Sequence, residues 1–113
     1  MKILLTGANG YIGTRILPIL LAEGHDVVCV VRDERRFVLE SDFGDQVKIV
    51  TGDLLKAETL ASIPKDIDAA YYLVHSMSTS AKDFAELELQ SAQNFVKTSQ
   101  TTQCNQLIYL TGI

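Results

Sequence analysis

A glycine-rich stretch near the N-terminus decides the fold of this chain: Thr6-Gly7-Ala8-Asn9-Gly10-Tyr11-Ile12-Gly13. The three residues before it, 3–5, form an apolar run that predicts a short buried strand. After it, apolar residues recur at helical spacing, at Ile12, Ile16, Ile19 and Leu20. The stretch is therefore predicted to be a tight turn that leads from a buried strand into an amphipathic helix.

Each glycine of this turn has a physical task. Gly7 permits a tight exit from the strand, and Gly10 lets backbone amides approach an anion with no Cβ in the way. Gly13 lets the helix lie close to the sheet. The helix directs its free N–H groups and the positive end of its dipole back at the turn. This arrangement is typical of a site for the pyrophosphate of a dinucleotide, and the alternative is a plain strand-to-helix turn.

Three later stretches complete a resemblance to a known family. They are Val30-Val31-Arg32-Asp33, Gly52-Asp53-Leu54 and Tyr71-Tyr72-Leu73-Val74-His75-Ser76-Met77. The glycine spacing is G-x-x-G-x-x-G, whereas dinucleotide-binding dehydrogenases use G-x-G-x-x-G. With this spacing the chain resembles the N-terminal Rossmann part of extended and atypical short-chain dehydrogenases/reductases, the epimerase/dehydratase-like group. The resemblance covers residues 1–113 almost continuously, as if the family's chain were truncated after strand five.

Strand and helix signals alternate along the chain. Strands are predicted at Lys2–Thr6, Asp26–Arg32, Gln46–Thr51, Asp68–Val74 and Gln106–Thr111. Helices are predicted at Tyr11–Glu23, Asp33–Leu39, Ala57–Ile63 and from Lys82 to about Thr101. Strands separated by helices require right-handed crossovers, so we expect an α/β fold with a doubly wound parallel sheet. The resemblance implies the strand order 3-2-1-4-5, with a nucleotide crevice between strands one and four.

Composition limits the class of protein. A chain of 113 residues with 47% hydrophobic and 21% charged residues is an ordinary globular domain, here a single one over residues 1–113. Its net charge of -4 argues against general nucleic-acid binding. No apolar run approaches the roughly 18 residues that a membrane span needs. We therefore expect a cytoplasmic location. Two cysteines and two histidines placed far apart predict no metal site.

The end of strand two is where the resemblance places the choice between NADP and NAD. An arginine there pairs with a 2′-phosphate, whereas a carboxylate accepts hydrogen bonds from the ribose hydroxyls. We expect Arg32 to bind the 2′-phosphate, assisted by Arg36 or Arg35, which predicts NADP as the cofactor. NAD is the alternative, because Asp33 follows Gly13 by 20 residues, about where an NAD-type acid is expected. The arginine cluster is otherwise explained as a solvated helix face.

The resemblance implies the remaining cofactor contacts. The Asp53 carboxylate is expected to meet the adenine amino group while Leu54 packs on the ring; alternatively, Gly52-Asp53 is a turn that caps the next helix. Leu73, Val74 and His75 are expected to face the crevice, and His75 departs from the small residues of many relatives. The predicted cofactor-binding residues are Gly7, Asn9, Gly10, Tyr11, Ile12, Gly13, Arg32, Arg36, Asp53, Leu54, Leu73, Val74 and His75.

Catalytic residues are not predicted in this chain. Carbonyl-reducing relatives use a tyrosine as acid/base with a lysine four residues later, and no Tyr-x-x-x-Lys occurs here. We expect the nucleotide-binding domain of an oxidoreductase, with the substrate-binding portion outside this chain. A non-catalytic NADP(H)-sensing or interaction module is the alternative. The edge of strand five and the long helix from Lys82 are predicted surfaces for a homo-oligomer.

Overall fold

A parallel sheet of five strands organises the structure, a computed structural model that describes residues 1–8, 11–33, 44–73 and 81–109. The strands are β1 (Lys2–Thr6), β2 (Asp26–Val31), β3 (Val47–Thr51), β4 (Ala69–Tyr72) and β5 (Gln106–Tyr109). The two described α-helices are α1 (Tyr11–Ala22) and α2 (Ala81–Gln100). The strand order is β3-β2-β1-β4-β5, which confirms the predicted doubly wound Rossmann sheet.

Strand β1 lies at the centre of this sheet. Its Leu5 pairs with Cys29 of β2 on one side and with Tyr71 of β4 on the other. Successive side chains of a strand point to opposite faces. Leu5 and Cys29 accordingly belong to the core cluster that contains α1, while Leu4 belongs to the cluster that contains α2. Both faces of the central strands are therefore covered, as parallel sheets require.

Helix α1 follows the predicted apolar stripe in part: Leu20 is buried, as expected, and Ile12 and Ile16 pack against the core. Ile19 is 62% exposed, and Ile12 and Ile16 are only partly buried. The buried face carries Leu17, Leu20 and Leu21, and it also contains Gly13. Because a residue without a side chain permits the closest approach, Gly13 determines which side of the helix meets the sheet. The buried face thus shares Leu20 with the predicted stripe and extends beyond it to Gly13, Leu17 and Leu21.

Helix α2 and the segment before β4 partly follow the prediction. The helical spacing of Phe84, Leu87, Ser91, Phe95 and Thr98 predicts a sheet-facing stripe on this helix, and Ser91 and Phe95 of the stripe are buried. The predicted helix Ala57–Ile63 is a shorter 3₁₀ turn, Ala57–Leu60. The predicted helix Asp33–Leu39 lies almost wholly outside the described residues. None of the helices in the described ranges is long and apolar enough to span a membrane.

Side chains cross-link the edge of the sheet at which the strands begin. The Asp68 carboxylate accepts hydrogen bonds from the Lys2 backbone N–H, at 2.9 Å, and from the Gln103 side-chain amide, at 2.7 Å. These two bonds lower the pKa of Asp68, the Lys2 N–H having the larger effect. The Lys2 ammonium also lies 3.1 Å from Asp66. This network joins β1, the start of β4 and the loop before β5.

Candidate functional site

The carboxyl ends of β1 and β4 meet where the winding of the sheet reverses. Gly7, directly after β1, has a φ of +74°, a left-handed conformation that side chains disfavour. A Cβ at Gly7 would also lie 3.0 Å from the carbonyl carbon and oxygen of Leu73. The hydroxyl of Thr6 donates a 2.9 Å hydrogen bond to the Tyr71 carbonyl, which ties the two strands together. Open α/β sheets bind their ligands at this kind of position.

Helix α1 begins beside this point and packs directly on the turn. Tyr11 is its first residue, and Ile12 is half-buried against the core below it. A Cβ at Gly13 would overlap the carbonyl oxygen of Gly7. The absence of a side chain at Gly13 therefore lets the helix start close to the end of β1. A helix N-terminus at such a position is a general feature of anion-binding sites.

The ends of β2 and β3 lie side by side on one flank of the turn. The Gly52 N–H donates a 2.9 Å hydrogen bond to the Val31 carbonyl. Arg32, the next residue after β2, is exposed, and Asp33 is half-buried. The structure thus brings Arg32, the predicted 2′-phosphate residue, close in space to the turn that follows β3, although the two are about 20 residues apart in the sequence. Arg36 lies outside the described residues.

The turn after β3 is held by Asp53 and Thr59. One Asp53 carboxylate oxygen, Oδ1, accepts a 2.9 Å hydrogen bond from the Leu55 N–H. The Thr59 hydroxyl accepts a 2.8 Å bond from the Asp53 N–H. No donor among the described residues reaches the second carboxylate oxygen, Oδ2. Asp53 therefore stabilises its own turn with Oδ1, while Oδ2 could accept a hydrogen bond from a ligand. The turn role and the adenine role considered for Asp53 are thus compatible.

Leu54 and Asn94 join this turn to the core. The Leu54 side chain is 7% exposed and packs among buried residues that include Leu60 and Phe95. The side-chain amide of Asn94, from α2, donates a 2.5 Å hydrogen bond to the Leu54 carbonyl. Sequence reasoning overlooked Asn94, although it lies between Ser91 and Phe95 of the predicted stripe.

The described part of the crevice fits a dinucleotide. Gly7 and Gly13 let the ends of β1 and β4 and the start of α1 pack closely at the switch point, and Asp53 presents a hydrogen-bond acceptor on the flank. Leu73 is buried behind Gly7. Within residues 1–8, 11–33, 44–73 and 81–109, no group of three His, Cys, Asp or Glu residues is placed to hold a metal ion. Four other predicted contacts lie outside the described residues: Asn9, Gly10, Val74 and His75.

Comparison with known proteins identifies a matching protein family and a similar protein, the assembly factor Ycf39. A family model described as NAD(P)H-binding matches residues 7–113. The photosystem II assembly factor Ycf39 of Synechocystis is 26% identical over 109 residues, which are 96% of this chain. The chain spans about a third of that relative's length, 33%.

Solved structures share the fold at low sequence identity. The X-ray structure of Pen from Bacillus thuringiensis has a TM-score of 0.81 and 20% identity, over 96% of this chain and 36% of that one. A short-chain dehydrogenase/reductase superfamily protein from Agrobacterium tumefaciens, solved with bound NAD, has a TM-score of 0.73 and 17% identity. It is matched over 96% of this chain and 32% of its own. The structural neighbours thus include members of the superfamily that the sequence resembles.

Proposed function

Because this chain belongs to the NAD(P)H-binding family whose model matches residues 7–113, we propose that it is the nucleotide-binding domain of an oxidoreductase and prefers NADP(H). We further propose that residues 1–113 act as one domain. The observation that carries the proposal is the junction of Gly7, Gly13 and Leu73, where two missing Cβ atoms let the start of α1 and the end of β4 pack closely against the end of β1 at the switch point.

The preference for NADP(H) rests on Arg32. Its guanidinium is exposed at the tip of β2, next to the turn that carries Asp53. A planar guanidinium makes paired hydrogen bonds with a phosphate, and a 2′-phosphate distinguishes NADP from NAD. Arg36, four residues further along, adds a second positive charge in the sequence. Asp33 would oppose this preference if its carboxylate met the ribose hydroxyls instead.

Adenine recognition is assigned to the turn after β3. Asp53 Oδ2 would accept the adenine amino group, since Oδ1 already accepts the Leu55 N–H. We retain Leu54 as the residue that packs near the ring, and Leu73, with Val74 and His75, as the wall on the other side of the crevice. The phosphates would lie at the glycine turn and the start of α1, where we propose contacts with Asn9, Gly10, Tyr11 and Ile12.

Hydride transfer is not assigned to this chain. The sequence has no tyrosine followed four residues later by a lysine, so the acid/base pair of carbonyl-reducing relatives is missing from residues 1–113. The chain also spans about a third of the Ycf39 relative. We propose that substrate binding and proton transfer belong to sequence outside these residues, and that the chain alone oxidises no NADPH. A cytoplasmic location remains a prediction from the sequence.

A regulatory or assembly module is the second candidate function. The observation that favours it is the likeness to Ycf39, which is named as a photosystem II assembly factor, over 96% of this chain. In that case the nucleotide would be sensed rather than turned over, and the exposed side of β5 or α2 would contact another protein.

Binding is tested by titrating the purified chain with NADPH and with NADH in a calorimeter. The chain has no tryptophan, so the fluorescence of bound NADPH can be followed in parallel without transfer from indole. We expect NADPH to bind more tightly than NADH. Equal affinities would contradict the NADP preference, and absence of binding by either nucleotide would contradict the assigned function.

A further inference from the structure

A side chain of α2 holds the turn that the proposed function assigns to adenine. Asn94 is 4% exposed, and its Nδ2 donates a 2.5 Å hydrogen bond to the carbonyl oxygen of Leu54. The two residues are 40 positions apart in the sequence, so this bond joins separate elements. Leu54 follows Asp53 directly. The amide of Asn94 therefore acts on the backbone adjacent to the carboxylate that is assigned to the adenine amino group.

Besides the Asn94 bond, the turn after β3 makes few contacts with α2 that could fix its position relative to the sheet. The Thr59 hydroxyl bonds to both the N–H and the carbonyl of Asp53, and the Lys56 N–H donates to the same carbonyl. Both residues belong to the same short segment as Asp53, so these bonds do not fix the segment relative to the rest of the fold. The Leu54 side chain packs against Leu60 and Phe95, and apolar contacts are not directional. A hydrogen bond to a carbonyl is directional, so the Asn94 bond restricts the orientation of the Leu54 peptide.

We propose that Asn94 is a positioning residue for adenine recognition: its hydrogen bond to Leu54 holds the Asp53 carboxylate where it distinguishes adenine from purines that lack the 6-amino group. This inference rests on the proposed function. Asn94 itself is buried and touches no ligand; it acts through the Leu54 backbone. Without its bond the turn keeps its internal hydrogen bonds but loses a fixed orientation relative to β1 and the glycine turn.

The test compares adenosine 5′-monophosphate with inosine 5′-monophosphate, which lacks the amino group. The variant Asn94→Leu has nearly the same shape but no amide donor. The control Ser99→Ala removes an equally buried polar group of the same helix, whose hydroxyl bonds only to the Phe95 carbonyl of α2. The measured quantity is the ratio of the two dissociation constants. Partial unfolding changes both constants by the same factor, so this ratio is insensitive to stability.

We expect the unmodified chain and Ser99→Ala to prefer the adenine nucleotide, and Asn94→Leu to lose about fivefold to tenfold of that preference, the scale of one hydrogen bond. Hydrogen exchange at Leu55 and Lys56 should become faster in Asn94→Leu. An unchanged ratio in Asn94→Leu would overturn the inference while leaving the proposed function intact. Absence of binding by the unmodified chain would overturn both.

Discussion

Tyr72 donates a 2.8 Å hydrogen bond from its hydroxyl to the Ser91 hydroxyl, in a part of the core where both residues are almost fully buried. The bond joins β4 to α2. The Tyr72 ring also packs edge-on against Phe95, with ring centres 4.9 Å apart, and against Tyr109 of β5 at the same separation. Tyr72 thus connects β4, α2 and β5 within the core cluster that also contains Leu54, from the turn after β3.

Removing either hydroxyl of this pair should destabilise the fold. Tyr72→Phe and Ser91→Ala are each expected to lower the free energy of unfolding by about 0.5–1.5 kcal/mol, because each removes the hydrogen bond between the two buried hydroxyls. The double variant should lose less than the sum of the two, since the second change removes a group that has already lost its partner. Urea unfolding measures all three. The exposed Ser62→Ala is the control, and additive losses would contradict a direct interaction.

A methyl group at Gly7 should be more damaging than one at Gly24. Both glycines have positive φ, +74° and +87°. A Cβ at Gly7 would meet the Leu73 backbone, whereas nothing lies within 4 Å of one at Gly24. Gly24→Ala should therefore lower the free energy of unfolding by about 1 kcal/mol, because only the positive φ disfavours alanine there. Gly7→Ala should lower it by about 1–3 kcal/mol more, because its Cβ would also clash with the Leu73 backbone. Equal losses of melting temperature would show that the contact with Leu73 has no effect.

Arg32→Ala should weaken NADPH binding selectively. The loss is expected to be about 1.5–3 kcal/mol, the scale of a hydrogen bond to a charged group. NADH, which has no 2′-phosphate, should bind as before. Calorimetry with both nucleotides gives the comparison, and Lys48→Ala, an exposed cation in β3, serves as the control. A parallel loss for NADH would mean that Arg32 contacts a part common to both nucleotides.

The buried thiol of Cys29 should make stability fall at high pH. Burial raises the pKa of Cys29 to about 12, from an ordinary value of 9.0. The unfolded thiol therefore loses its proton in a pH range where the folded one retains it. The corresponding stability is fully present below about pH 9 and is lost as the pH rises towards 12. Cys29→Ala should show a shallower decline in the free energy of unfolding, measured with urea, between these limits, and an equally steep decline would contradict the role of the buried thiol.

The exposed side of β5 should promote association. Leu107 and Tyr109 are 49% and 53% exposed, and an uncovered strand edge can pair with another chain. We expect the sedimentation coefficient to rise with protein concentration, and Leu107→Lys to reduce the rise. Val96→Lys tests the alternative surface on α2, where Val96 is 42% exposed. A concentration-independent monomer would contradict both predicted surfaces.

The sequence predicts the strands of this fold better than it predicts how the helices are oriented. The bounds of β1 agree with the prediction because an apolar run ends abruptly at a glycine. The apolar spacing of α1 predicts a buried Ile19, but Ile19 is 62% exposed. The close approach of Gly13 to Gly7 places Leu17 and Leu21 on the buried face instead. The apolar spacing of a helix indicates which side chains are buried. It does not indicate at which residue the helix approaches the sheet most closely.

The site shows the same limit. The positions of Gly7, Arg32 and Asp53 could be predicted, because strand ends in a parallel sheet share one edge. Asn94 could not, because an amide in a helix usually faces solvent. Its partner is a backbone carbonyl 40 residues away, and any residue type at position 54 would present that group.

The position of Met1 has a practical consequence. Strand β1 begins at the cross-linked edge near Asp68 and ends at Thr6, directly before Gly7, and its five residues, at about 3.3 Å each, separate the two ends by about 17 Å. A fluorophore, an affinity tag or a sensor surface attached at the amino terminus would therefore face away from the crevice. Immobilised molecules would present the carboxyl ends of their strands to the solution, so the proposed binding of NADPH could be measured on a sensor surface without blocking the crevice.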